Sequence, residues 1–257
     1  MRIFNVELSK DFDSIELYGL SDVHFEDKNS CRKTLYKFRD EVLEKENRFV
    51  IINGDIINTA TKDSVSDIFS ETLGIRDAVQ RIADFLEPIK DRILVMIDGN
   101  HEKRVYKNTG LYLMEQVADK LGISSKFSEG AYLLYISFGK NNNRDNRTTV
   151  YSVYGKHGAG GGRLVGSKAN SVLRMAESID ADIYIHSHTH LPLVFKNCFF
   201  RCNYRDRKVM EVTHTFVNTS SFLNFGGYGE ELNFSPASKQ YPKIILNGVK
   251  RDVKVVL

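Results

Sequence analysis

The sequence predicts an α/β protein, a four-layer α-β-β-α sandwich of two mixed β-sheets flanked by helices. Three observations carry that expectation. Residues 49–53 (Phe-Val-Ile-Ile-Asn) and 93–97 (Ile-Leu-Val-Met-Ile) form continuous runs with the texture of parallel strands covered on both faces. Stretches with apolar residues at helical spacing alternate with such runs through the first half. From Asp182 onward strands dominate, so βαβ-like order gives way to antiparallel order.

The elements follow in chain order. Ile15 to Leu20 reads as a strand ending in Ser21-Asp22. Leu35, Phe38 and Val42 mark a first helix, and Val79, Ile82, Ala83 and Leu86 mark a second, closed before Pro88. Met114, Val117, Ala118 and Leu121 mark a third, with Gly122 placed to cap it. Residues 131–138 and 149–155 read as a strand pair around the polar tip 140–146. A helix is expected from Ser167 to about Ile179, with Ala169, Val172, Ala176 and Ile179 inward. Strands are then expected at Ile183–Ile185, Leu193–Phe200, Lys208–Val217, Ile244–Leu246 and Val253–Val256. Residues 223–243, with three glycines and two prolines, read as a long surface loop.

At 257 residues the chain lies near the upper size of one hydrophobic core. With no Pro- or Ser-rich linker and no internal repeat, residues 1–257 are expected to form a single domain. The composition, 42% hydrophobic and 27% charged, is that of an ordinary soluble protein. No apolar run is long enough to cross a bilayer, and Asn5, Glu7 and Lys10 interrupt the N-terminus too early for a signal peptide. A cytoplasmic protein without a membrane partner is therefore expected. Cys31, Cys198 and Cys202 are too few and odd in number for a disulfide framework, and Cys198 and Cys202 read as structural rather than metal-binding. A net charge of +3 does not by itself announce a nucleic-acid partner. Nothing in the sequence signals an oligomeric state.

The chemistry gathers at strand ends. Asp22 and His24 follow the first strand, Asp55 the second, and Asn100 and His101 the third; His157 follows the strand ending near Tyr154, and His186, His188 and His190 follow Ile183–Ile185. One histidine at a strand end ordinarily satisfies a turn. Five such clusters, carrying imidazole and carboxylate where α/β sheets bind ligands, point to a metal site. Gly54, Gly99, Gly155 and Gly158 suit the tight turns between strand and ligand. The candidate ligands are Asp22, His24, Asp55, Asn100, His157, His188 and His190. They are too many for a lone catalytic zinc, which takes about three protein ligands. They suit two ions sharing a carboxylate, which clamp a phosphoryl group and hold a bridging hydroxide. With two aspartates against two dications the site stays cationic, as an anionic ester requires.

At these residues the chain resembles the calcineurin-like metallophosphoesterase superfamily. The pattern is carried by Asp22-Val23-His24, Gly54-Asp55-Ile56-Ile57-Asn58, Gly99-Asn100-His101-Glu102, His157-Gly158 and Ser187-His188-Thr189-His190, in the family's order and spacing. The resemblance implies a two-sheet sandwich and a first metal on Asp22, His24, Asp55 and His190. It implies a second metal on Asp55, Asn100, His157 and His188, with Asp55 bridging. His101 becomes the general acid or transition-state cation at the leaving oxygen. Ser187 stands where the family has glycine, and His186 is extra, read as a histidine satisfied by backbone ahead of the alternative that it supports a ligand or touches substrate. Asn58 and Glu102 are expected to orient their neighbours, and His214 to be structural.

The ligands name the reaction and not the substrate. The loop His157-Gly158-Ala159-Gly160-Gly161-Gly162-Arg163 exposes backbone N–H groups to an anion, and Arg163, Lys168, Arg174 and Lys103-Arg104 add positive charge near the same edge. The leading expectation is a phosphodiesterase or nuclease acting on DNA or RNA. A phosphomonoesterase or protein Ser/Thr phosphatase is the alternative, and a metal-stabilised protein-binding scaffold a third, against which His101 argues. The oxygen and nitrogen donors admit Mn, Fe, Zn or Ni; analogy with the family favours Mn.

Overall fold

In the computed structural model, residues 1–60, 72–142, 145, 147–160, 162, 164–225 and 238–257 are described. One sheet contains β2 (Ser14–Leu20), β3 (Arg48–Asn53), β4 (Ile93–Ile97), β5 (Phe127–Ser128), β11 (Lys243–Asn247) and β12 (Val253–Val256), in the order β12-β11-β2-β3-β4-β5. From β2 to β5 its neighbours are parallel, and the two late strands join antiparallel. The other sheet contains β1 (Arg2–Glu7), β6 (Tyr132–Asn141), β7 (Arg147–Gly155), β8 (Ile183–His186), β9 (Leu193–Asn203) and β10 (Lys208–Asn218), in the order β1-β6-β7-β8-β10-β9. It too is mixed, with β7, β8 and β10 parallel to one another.

Burial explains the layering. Every residue of β3 and β4 is buried, because one face meets the other sheet and the opposite face meets helices. Leu17, Ile51, Val95, Leu134, Val153, Ile185 and Val217 fill the space between the sheets. On the outer face of the first sheet lie α1 (Arg32–Leu43), α2 (Ile75–Leu86) and α4 (Leu113–Lys120). Their buried stripes include Leu35, Phe38 and Val42, then Val79, Ile82 and Leu86, then Met114 and Val117. Gly122, at φ +70, closes α4 with paired bonds, Gly122 N–H to the Asp119 carbonyl and Ile123 N–H to the Ala118 carbonyl. On the outer face of the second sheet α5 (Val165–Leu173) buries Val172 against Tyr184 and Phe216. The four layers and the mixed sheets are those expected.

Several elements differ from expectation. β1 is an edge strand with only Phe4 buried, too weak an alternation to announce itself. The expected Ser167–Ile179 helix begins at Val165, ends at Leu173 and continues as a tighter turn over Arg174–Glu177, burying Met175. A further helix, α3 (Glu102–Thr109), starts inside the third ligand cluster. Cys198 and Cys202 do not pack in the interior; both are exposed on β9. Of the expected hairpin tip, Asn143, Arg144 and Asn146 lie outside the described residues, as do residues 226–237 of the expected long loop. Among the described residues no helix is long and apolar enough to cross a membrane.

Candidate metal centre

All seven candidate ligands meet at one end of the sandwich. Asp22 and His24 leave the C-terminal end of β2, Asp55 that of β3, and Asn100 that of β4; His157 leaves β7, and His188 and His190 leave β8. The loops are laced together by backbone bonds. Asp22 N–H donates to the Gly54 carbonyl (3.1 Å), and the N–H groups of Val23 and His24 both donate to the Asp55 carbonyl (2.8 and 3.1 Å). Ser187 N–H donates to the His157 carbonyl (2.9 Å), fastening the β7 and β8 loops.

The donor atoms form overlapping groups. Asp22, His24 and His190 bring one ligand atom each within 4.8 Å of one another; Asp55, His157 and His188 do the same, and so do His24, Asp55 and His101. His157 Nε2 lies 3.0 Å from Asp55 Oδ2 and 3.0 Å from Asn100 Oδ1. Its Nδ1 donates to the Asn53 carbonyl (2.7 Å), which fixes the ring and leaves Nε2 as the nitrogen that faces the cleft. His190 Nε2 is 3.2 Å from Asp22 Oδ1.

Three properties suit this donor set to divalent cations. First, His24 Nε2 is buried and makes no hydrogen bond, and buried Asp22 Oδ1 has only the His190 ring beside it, a costly condition that a cation relieves. Second, the charges are poised for coordination. Burial holds His24 and His188 below the ordinary histidine value, so both present neutral imidazole. Although burial works to raise it, the Asp22 carboxyl is brought down to about 2 by His190, and His157 overrides Asp55's burial to hold that carboxyl well below its usual range. Burial opposes charging His157, yet Asp55 raises it to about 9, the mark of a cleft whose carboxylates favour positive charge. Third, five of the seven candidates hold left-handed backbone: Asp22 at φ 50, His24 at 46, Asp55 at 52, His188 at 69 and His190 at 56. Such conformations cost about 1–3 kcal/mol each and persist where the surroundings enforce them, characteristically at ligand sites.

Glycines contribute space more than freedom. Gly54 does use positive φ (85), but at Gly99 a Cβ would strike the Asp55 carboxylate, and at Gly155 the Tyr132 ring.

Supporting residues reach further than motif spacing suggested. Glu102 is fully buried and accepts four backbone N–H groups, from Asp55 (3.0 Å), Ile56 (2.7 Å), Ile57 (2.9 Å) and Gly99 (2.8 Å). Burial and the Asp55 charge push its carboxyl up to about 7, while the N–H groups pull the other way. Asn58, the expected orienter, itself is held: its N–H donates to Glu26 Oε2 at 2.6 Å. A chain of side chains links the two halves of the cleft. Asn53 Nδ2 donates to Ser187 Oγ (2.6 Å), Ser187 Oγ meets Thr219 Oγ1 (2.7 Å), Thr219 Oγ1 meets Ser21 Oγ (2.6 Å), and Ser21 Oγ donates to Asp22 Oδ2 (2.7 Å). Ser187, the departure from the family's glycine, is the link between Asn53 and Thr219 in that chain. The sequence reading missed Asn53, Ser21 and Thr219; the available signal was the polar run Asn218-Thr219-Ser220-Ser221 directly after an apolar strand.

The remaining candidates separate by position. His101 lies beside the ligands, its N–H donating to Asp55 Oδ1 (2.9 Å) and its Nε2 3.9 Å from Asp55 Oδ2. Arg104 sets its guanidinium nitrogens 3.2 and 3.3 Å from the two ring nitrogens of His101 and donates to the Thr59 carbonyl (3.2 Å). His186 turns away, with Nδ1 2.8 Å from Asn218 Oδ1 and its ring filling the space over Gly158. His214 is buried on β10 against the Ala181 carbonyl. Lys168 donates to the Thr189 carbonyl (2.9 Å), between His188 and His190. Arg174 is exposed beside Glu177, and Arg163 lies outside the described residues.

Comparison with known proteins adds a family. The family model described as calcineurin-like phosphoesterase matches residues 16–192. No curated protein matches the chain. Similar solved structures include a predicted phosphoesterase from Streptococcus pneumoniae, 12% identical over 95% of this chain and 89% of that one, with a TM-score of 0.39. The nuclease MPE of Pseudomonas putida is 14% identical over 89% and 83%, TM-score 0.36. The anchor protein of the Plasmodium inner membrane complex is 11% identical over 95% and 84%, TM-score 0.48.

Proposed function

This chain belongs to the calcineurin-like phosphoesterase family, and we propose that it is a two-metal phosphodiesterase, one domain over residues 1–257, acting on nucleic acid. The observation that carries the reading is the shared carboxylate. Asp55 belongs to two of the three donor groups and stands between His24 on one side and His157 with His188 on the other. In this reading Asp22, His24, Asp55 and His190 hold one cation, and Asp55, Asn100, His157 and His188 hold the other. Mn is the favoured ion; Fe, Zn and Ni suit the same donors. When bound, the pair would draw charge from the phosphoryl oxygens and lower the pKa of the attacking water.

The chain's own groups do the rest. Asn53 fixes the ring of His157, Glu102 fixes the Asp55 loop, and His101, whose burial holds its ring well below the ordinary histidine value, would serve the leaving oxygen as general acid or transition-state cation once the substrate's charge is in place. Arg104 covers the ring of His101 and brings positive charge to the rim, where a flanking phosphate of a diester would lie. His101→Ala is expected to retain two Mn per chain by elemental analysis and to slow hydrolysis of bis-p-nitrophenyl phosphate about a hundred-fold; equal turnover would sink the assignment. The substrate class is tested with Mn on single- and double-stranded DNA, RNA, cyclic nucleotides, nucleotide monoesters and a phosphopeptide. Cleavage of the phosphopeptide and of no nucleic acid would make the chain a protein phosphatase instead.

The hydroxyl chain gives a separate expectation. Ser187→Gly removes the link between Asn53 and Thr219, and partners of ligands typically matter about 10–100-fold in metal affinity. Calorimetric titration with Mn should show at least a tenfold weakening. Unchanged affinity would leave Ser187 a packing residue only.

A further inference from the structure

The β9–β10 hairpin carries a feature that the metal centre does not explain. β10 pairs with β9 at all eleven positions from Lys208 to Asn218, but with β8 only from Thr215 to Asn218. Lys208–His214 therefore have no strand neighbour but β9 among the described residues, and the hairpin extends past the sheet as a two-stranded ribbon. Isolated ribbons of this kind are marginal unless something packs on them. The open face of this one carries exposed apolar and aromatic side chains, Phe200 at 77%, Val209 at 65% and Tyr204 at the tip at 89%, with a single carboxylate, Glu211, opposite Phe200. Neither Phe200 nor Tyr204 meets another ring among the described residues, whereas Phe199, facing the opposite way, packs on His214.

Charge says what would cover it. From Lys196 to Glu211 the chain has five cations and two carboxylates, so this hairpin holds +3, the formal net charge of the entire 257 residues. Arg201 is paired with Asp180. Arg205, Arg207 and Lys208 cluster at the tip without a carboxylate partner among the described residues. Exposed aromatic rings interleaved with unpaired cations suit a chain of stacked bases on a phosphate backbone. A second copy of this chain would bring the same positive charge against itself.

The base of the ribbon lies at the chemistry, and its tip lies beyond the opposite end of β8. β9 begins three residues after His190, and β10 ends at Asn218, whose side chain donates to Thr189 (2.9 Å). Base and tip are thus ten residue steps apart, about 33 Å at ~3.3 Å per residue, or roughly ten stacked nucleotides at ~3.4 Å each. We infer that the β9–β10 ribbon is a binding arm for a single strand of nucleic acid, with Phe200 and Tyr204 stacking on bases and Arg205, Arg207 and Lys208 on phosphates. The inference rests on the nucleic-acid reading of the metal centre.

The test uses the Mn-loaded full chain and an end-labelled, phosphorothioate-linked 20-nucleotide strand, as DNA and as RNA, followed by fluorescence anisotropy. Phe200→Ser with Tyr204→Ser, and separately Arg205→Gln with Arg207→Gln, are expected to raise Kd at least tenfold. The arginine pair should also reduce the salt slope by about 1–2. Thermal unfolding and turnover of bis-p-nitrophenyl phosphate should be unchanged in both. On cleavable strands, KM should fall with length up to about ten nucleotides in the wild type and lose that dependence in the variants. If wild type and variants cleave the 20-mer with the same KM, the nuclease reading stands and the arm falls. If the small diester is hydrolysed but the 20-mer is neither bound nor cut, both fall. A wild-type dimer in sedimentation that the Phe200 and Tyr204 substitutions dissociate would assign the ribbon to a second copy instead.

Discussion

Asp55→Asn is expected to lower kcat/KM on bis-p-nitrophenyl phosphate by about 10³–10⁴-fold and to leave fewer than two metals bound per chain. The size follows from position. Asp55 is 1% exposed, and its two oxygens serve different neighbours, Oδ1 the His101 N–H and Oδ2 the His157 ring. An amide keeps the shape but offers one neutral acceptor in place of two charged ones, so neither cation of the proposed pair would keep its shared ligand. Metal ions supply several kcal/mol of charge stabilisation, and each ~1.4 kcal/mol is tenfold in rate. Gly99 is pressed against the same carboxylate, so closely that a Cβ there would strike it. Elemental analysis and steady-state kinetics decide the matter together. Two metals retained with activity within tenfold of wild type would remove Asp55 from the bridging position.

Glu102→Ala should cost about 3–5 kcal/mol of folding stability, read as a shift in urea midpoint at unchanged slope. The carboxylate accepts four buried N–H groups from two loops, and each donor left without a partner costs about 1–3 kcal/mol. The sum is held below its upper limit because neighbouring loops relax. Against a typical total of 5–15 kcal/mol the loss is large, and for a chain of this size it lowers Tm by about 10 °C. Glu102→Gln, which retains one acceptor, should fall between wild type and alanine. A loss under 1 kcal/mol would mean that the loops find other partners, and that Glu102 does not hold the Asp55 turn.

Both residues were visible in the sequence, to different depths. Asp55 was recognisable as a candidate ligand because it follows a buried strand within two or three residues, as do Asp22, Asn100 and His157. Glu102 was recognisable only as an orienter; that it anchors Asp55, Ile56 and Ile57 depends on contacts 45 to 47 residues away. The helix α3 that begins at Glu102 was missed because its first turn is spent on the cleft, which spoils the apolar period. β1 was missed for a related reason: an edge strand with one buried side chain has little pattern to show. The expected helix after the glycine-rich loop was right in kind and wrong in extent, since helix ends depend on local capping that apolar spacing does not report.

The sequence by itself determined the donor atoms, their order and their places at strand ends, because those depend on short-range rules: strand periodicity, turn chemistry and motif spacing. That was enough for the layered fold, the metal ligands as candidates and the family. Only the tertiary structure decided which donor faces which, through contacts no local rule contains. Asn53 orients His157 across 104 residues, and Ser21 meets Thr219 across 198. It also decided that His186 and His214 turn away from the cleft, and that Cys198 lies in the open beside Phe200. These outcomes follow from sheet order, which is a property of the whole packed chain.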